Sequence, residues 1–101
     1  VTRKVIFSPA AEDDLIKLYD YIAGQSGTQR AYSYTGRIQK FCSGLVNFPE
    51  RGRKRNDLWP GLMIIGFERR AGIAYHITSE FIIIDRIAYG GRNIEGFWDD
   101  P

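Results

Sequence analysis

The chain is expected to adopt an α+β fold, a helical hairpin packed on a mostly antiparallel four-stranded sheet in the order β-α-α-β-β-β. Three observations lead there. Two consecutive segments between Pro9 and Phe48 repeat apolar residues three and four apart, the pattern of helices with one buried stripe. Three apolar, β-branched runs follow Gly61 with only short links between them, so neighbouring strands run antiparallel. A shorter apolar run precedes the first helix. Helices grouped ahead of a set of strands give layers rather than alternating α/β units.

The opening strand spans Thr2 to Phe7, with Val5 and Phe7 on one face and Ile6 on the other. Ser8 suits the N-cap, because its hydroxyl accepts from a first-turn N–H, and Pro9 sits where its missing donor is harmless. Glu12, Asp13 and Asp14 read as acids favoured by the positive end of the helix dipole, not as a metal cluster. Ala11, Leu15, Leu18, Tyr19 and Ile22 form the buried stripe, and Gly24 and Gly27 end the helix. The second helix runs from Thr28 to about Asn47, with Ala31, Tyr34, Ile38, Phe41, Leu45 and Phe48 along one side. Tyr19 and Tyr34 are expected inward, Tyr21 and Tyr32 partly exposed. Pro49 stops the helix.

Glu50 to Gly61 reads as a polar, basic loop. Strands follow at Leu62–Arg69, Gly72–Thr78 and Phe81–Tyr89, with turns at Arg70-Ala71 and Ser79-Glu80. The last strand is apolar enough to be buried on both faces, yet it contains Asp85 and Arg86. A two-residue period points these two to opposite faces, so each needs a mate elsewhere or an opening to water. The strand then breaks at Gly90-Gly91 and delivers Arg86, Tyr89 and Arg92 toward one rim. Phe97 and Trp98 either fold back onto the sheet or anchor another chain.

At 101 residues the chain is expected to be one domain, 1–101, burying roughly 60–70% of its unfolded surface. No apolar run is long enough for a membrane helix, and no basic-then-apolar leader is present. One cysteine, Cys42, excludes an internal disulfide and fits a cytoplasmic location. One histidine and one cysteine give no zinc set, and no cofactor is expected. A net charge of +2 is too small to steer the chain strongly to nucleic acid. Charge is instead concentrated locally, in Arg51, Arg53, Lys54 and Arg55. That cluster is either an anion-facing patch or a solvated loop.

Cations are plentiful, but proton carriers for phosphodiester chemistry are scarce. His76 lies mid-strand, a poor place for a catalytic acid or base. Cys42 sits beside the core stripe with no base nearby. Arg86, a permanent cation with a planar fork, is the leading candidate for gripping a partner; the alternative is a structural pair with Glu68, Asp85 or another acid.

The order of features along the chain resembles the ParE toxins of bacterial toxin–antitoxin systems, within the wider ParE/RelE superfamily. It rests on Ser8-Pro9-Ala10-Ala11-Glu12-Asp13-Asp14-Leu15 after the first strand, on Tyr19-Asp20-Tyr21-Ile22, and on Phe48-Pro49 with a basic loop behind it. The closing strand with Gly90-Gly91-Arg92-Asn93-Ile94-Glu95 completes the set. The resemblance implies a toxin that binds and inhibits DNA gyrase, with no catalytic residues of its own. It implies neutralisation by a cognate ParD-like antitoxin whose ribbon-helix-helix region holds operator DNA, so the toxin meets that DNA only through the antitoxin. Arg53, Lys54, Arg55, Arg86, Tyr89 and Arg92 are then the candidates for target or antitoxin binding. Tyr89 stands where family members often carry a histidine, which weakens an acid–base role because a phenol titrates near pH 10. The rival expectation is a RelE-like, ribosome-dependent mRNA endonuclease.

Overall fold

In a computed structural model that describes residues 3–98, the elements are β1 (Lys4–Phe7), α1 (Pro9–Ser26), α2 (Thr28–Ser43), β2 (Arg53–Lys54), β3 (Met63–Phe67), β4 (Ala71–Ile77) and β5 (Phe81–Tyr89). Short 3-10 segments occupy Gly44–Val46 and Ile94–Trp98. The α+β class and the helical hairpin are as expected, but the sheet has five strands, ordered β1-β5-β4-β3-β2. The extra strand is the two-residue β2, which pairs antiparallel with β3 inside the segment read as loop. Both its residues are exposed, so it carries no apolar alternation by which a sequence pattern reveals a strand. Among the described residues, β1 with β5 is the only parallel pair.

Ser8 caps α1 through its Oγ, which accepts from the Ala11 N–H at 3.0 Å, and it also donates to the Asp85 carbonyl at 3.0 Å. The helix start is thereby tied to the middle of β5. Gly24 does not stop α1; the helix runs on to Ser26, and Gly27, at φ 98°, makes the break to α2. That left-handed φ is open to glycine at little cost. Leu15, Leu18, Ile22, Ala31 and Ile38 meet Ile73, Tyr75, Ile82, Ile84 and Ile87 in the main core, each deeply buried. Burying an aliphatic side chain of this size contributes about 1.5–3 kcal/mol. Phe48, expected on the α2 stripe, is instead exposed, because the 3-10 turn at Gly44–Val46 inserts Leu45 into the core in its place.

Two further expectations are corrected. The β3–β4 turn spans Glu68 to Arg70, with Glu68 and Arg69 at φ of 49° and 63°, so of the expected turn pair Arg70 is in the turn while Ala71 already belongs to β4. Register is set by burying Phe67, Ala71 and Ile73 on one face, which outweighs the absence of the usual turn glycine or asparagine. The strain is held by a two-point ion pair, in which Arg37 of α2 donates from Nε and Nη2 to the Glu68 carboxylate, both at 2.9 Å.

The second correction concerns β5. Tyr75 pairs with Ile84 and Ala74 with Arg86, so Asp85 is an extra residue and β5 carries a bulge. Before the bulge Ile82 and Ile84 face the helices; after it Ile87 and Tyr89 do. Asp85 and Arg86 therefore do not simply point apart as strict alternation requires. Both turn to the face away from the helices, where Asp85 meets His76 and Arg86 meets Phe97.

The C-terminal 3-10 helix folds back onto that face. Ile94 and Trp98 cover Leu62, Ile64 and Ala74, so Phe97 and Trp98 belong to the fold-back alternative.

Candidate partner-binding surface

The six candidate residues divide into two sets. Arg53 and Lys54 lie exposed on β2, at one edge of the sheet, and Arg55 immediately follows. Tyr89 and Arg92 lie at the end of β5, with two strands between it and β2, and Arg86 lies behind them. The 3-10 strap joins the sets, since its Glu95 pairs with Arg55 and its Phe97 lies beneath Arg86 and Arg92.

Two of the six are fully engaged. Arg86 donates from Nε and Nη2 to Asp14 at 2.9 and 3.0 Å, and its guanidinium stacks 3.7 Å above the Phe97 ring centroid. The structural pairing is thus the alternative realised, with an acid on α1 as the partner. The Asp14 hydrogen bond raises the Arg86 pKa from its ordinary value. Arg55 is held between Asp57, at 3.0 and 2.8 Å, and Glu95. Those two carboxylates, Asp57 first, raise the pKa of Arg55, and Arg55 in turn lowers that of Asp57. Arg53, Lys54 and Arg92 remain exposed to solvent, Lys54 with a loose 3.7 Å approach to Glu50.

Asp14 is the acid that sequence reasoning placed wrongly. Its side chain is buried, and besides Arg86 it accepts from the Ile87 N–H at 2.9 Å. A helix-dipole role leaves an acid in water; this one replaces a missing strand. β1 ends opposite Ile84, so beyond that point β5 has no strand neighbour on its β1 side, and the Asp14 carboxylate satisfies an edge donor there. The signal was available: Asp14 falls on the same α1 stripe as Ala11, Leu15 and Leu18.

Tyr89 is half-buried and belongs to an aromatic series. Its ring centroid lies 6.2 Å from Tyr21 and 5.4 Å from Tyr34, and Tyr34 lies 5.8 Å from Phe67. Burial, and then the neighbouring Tyr89, push the Tyr34 hydroxyl up to about 12. It is a neutral group at physiological pH. Tyr21 is exposed and Tyr34 packs on the core, as expected.

His76 Nδ1 lies 2.7 Å from Asp85 Oδ2 on the face away from the helices. Cys42 is fully buried, and burial pushes its thiol up to about 12, so it holds its proton. Among the described residues no three of His, Cys, Asp and Glu converge as metal ligands, and no helix is long and apolar enough to cross a membrane.

The Glu68 carboxylate is held below its ordinary value of 4.5, chiefly by the Arg37 hydrogen bonds. A depressed carboxylate stabilises the fold above its unfolded pKa, and that contribution is lost as pH falls through the folded value. The Glu68 titration followed by NMR is therefore expected below 4.5, and to return toward 4.5 in Arg37→Ala. An unchanged midpoint in the variant would remove the clamp from the turn.

Residues 5–94 match the family described as ParE toxin of type II toxin–antitoxin systems, and the chain belongs to that family. It is 29% identical over 91 residues to Toxin ParE3 of Caulobacter vibrioides, covering 90% of each protein. Among solved structures it is similar to a chain of the chromosomal ParDE toxin–antitoxin system of P. aeruginosa. The TM-score there is 0.77 at 21% identity, over 88% of this chain and 97% of the other. A chain of the RelBE2 toxin–antitoxin complex of Mycobacterium tuberculosis superposes with a TM-score of 0.63, also at 21% identity, over 88% of this chain and 99% of the other. These two likenesses bear on the fold.

Proposed function

We propose that this toxin-family chain acts by seizing another macromolecule, with DNA gyrase as its target, and that a ParD-like antitoxin neutralises it in the cytoplasm. The observation that carries this reading is the state of its arginines. Arg55, Arg86 and Arg37 are each committed to carboxylates inside the fold. A cation already neutralised is a poor stabiliser for the charge that develops on a phosphorane. Of the six candidates, the exposed cations Arg53, Lys54 and Arg92 are separated across the sheet and suit acidic protein surfaces. The 1–101 unit then works through its surfaces, and operator DNA is reached only through the antitoxin.

One observation favours the endonuclease alternative. Asp85 orients the His76 ring, which is the arrangement a general base requires. Arg86, the cation next to Asp85 in sequence, is however bound to Asp14. The two readings separate cleanly. Purified chain is expected to inhibit gyrase supercoiling and leave cleaved DNA bound to the enzyme, and His76→Ala is expected to retain that inhibition. Rapid translational arrest with cut transcripts, abolished by His76→Ala and without effect on gyrase, would establish the endonuclease instead.

A further inference from the structure

The outer surface of the helical hairpin, on the side away from the sheet, carries one stripe on each helix. Glu12, Ile16 and Asp20 recur at every fourth residue of α1, and Tyr32, Gly36 and Lys40 do so on α2; all six are exposed. Ile16 keeps 61% of its surface open and Tyr32 77%. A trough of about 230 Å³ runs between the helices beside Ile16 and Thr35.

Gly36 is the anomaly on this face. Glycine is a poor former of a helix interior, and a Cβ placed at Gly36 would meet nothing within 4 Å. No contact among the described residues therefore requires glycine here. Its bare backbone leaves a hollow between Tyr32 and Lys40 that a side chain from outside can enter.

The exposed charges of the two helices are opposite in sign. α2 carries Arg30, Arg37 and Lys40 and no acid. α1 exposes Glu12, Asp13 and Asp20, and its Lys17 is paired with Asp13 at 3.0 Å. Among the described residues Glu12, Asp20, Arg30 and Lys40 enter no ion pair. Because α1 and α2 are antiparallel, a twofold axis along the hairpin lays α1 of one copy antiparallel over α2 of the other, twice. Each half then sets Glu12 against Lys40, Ile16 into the hollow at Gly36, and Asp20 beside Tyr32. An axis across the hairpin would stack acidic α1 on α1 and basic α2 on α2, which like charge opposes.

We propose that this face is a self-association surface and that its occupant is a second copy of the chain, giving a twofold layer of four helices. α2 has 16 residues, so the face is about 24 Å long and two helices wide, on the order of 500 Å² a side. Twice that area lies at the low end for specific association, so the dimer forms at tens of micromolar and dissociates on dilution. The sheet lies on the other side of the hairpin, which leaves the strapped face and the β2 edge of each copy open. The dimer stands or falls independently of the gyrase and antitoxin readings.

Sedimentation velocity of the full chain from micromolar to millimolar concentration tests it. The mass is expected to rise from 11.6 kDa toward twice that value. Gly36→Leu fills the hollow and favours the helix, so it is expected to weaken association at least tenfold while the dilute protein melts no lower than wild type. Lys40→Glu and Glu12→Lys, both at exposed positions, are each expected to be monomeric alone. Mixed in equal amounts they are expected to form a one-to-one heterodimer, because every Glu12–Lys40 contact again joins opposite charges. A single 11.6 kDa species throughout, Gly36→Leu associating as tightly as wild type, or no heterodimer from the mixed charge variants each overturns the proposal.

Discussion

Asp14→Ala is expected to destabilise the protein by about 3–5 kcal/mol, the cost of leaving one member of a desolvated ion pair without its mate. Three hydrogen bonds end on this carboxylate, from Arg86 Nε and Nη2 and from the Ile87 N–H. Their loss strands a guanidinium between the sheet edge and the Phe97 ring and leaves a backbone donor in a pocket Asp14 had filled. For a domain of this size the melting temperature falls by about 4–8 °C for each kcal/mol. Arg86→Ala should cost less than Asp14→Ala, because the Arg86 side chain keeps 29% of its exposure while Asp14 keeps 4%. Replacing both partners by apolar residues of similar volume, Asp14→Leu with Arg86→Met, should recover much of the loss. Thermal melts of the three variants provide the check. Equal melting temperatures for wild type and Asp14→Ala would show that the pair contributes nothing.

Tyr75→Phe is the second large effect, at about 1–3 kcal/mol. The Tyr75 side chain is fully buried under the helices, and its hydroxyl is the link between the core and the basic segment. It donates to the Pro49 carbonyl at 2.8 Å and accepts from the Gly52 N–H at 2.9 Å. Removing the oxygen unpairs both backbone groups and frees the approach to β2, so the Arg53 and Lys54 edge should lose amide protection along with overall stability. Gly52→Ala attacks the same link from outside. A Cβ there would lie 2.8 Å from the Tyr75 hydroxyl and 3.2 Å from the Ile64 carbonyl, which is backbone and does not yield easily. Chemical denaturation with hydrogen exchange at residues 51–55 distinguishes a loosened edge from a uniformly weakened core.

Much of this fold is written locally. The Ser8-Pro9 helix start, the two apolar stripes and the three long strands each carry a periodic or capping signal that packing then confirmed. What was not legible is long-range. The two-residue β2 exists because Ile64 and Met63 offer it an edge, not because Arg53-Lys54 prefers to be a strand. The Glu68-Arg69 turn has no glycine or asparagine; its position is set by β3–β4 register and by Arg37, which is 31 residues from Glu68. The partner of Arg86 lies 72 residues away on α1, among acids whose placement at a helix start already had a sufficient local explanation. The bulge completes the list, since one added residue at Asp85 reverses which side chains face the helices. Adjacent charged residues in an otherwise apolar run were its only trace.

The same long-range pairing bears on the candidate site. Arg86 stood out as a cation where cations are costly, and that was sound physics. Its reward is an internal carboxylate, which shifts interest to Tyr89 and Arg92 beside the open edge of β5.

Ribosome-bound messenger RNA incubated with highly purified chain gives the most direct test that this toxin works by occupancy. The expected result is intact RNA at every toxin concentration, alongside gyrase inhibition that saturates near one toxin per gyrase site. Each molecule of chain cutting many RNA molecules, with gyrase supercoiling untouched, would contradict it.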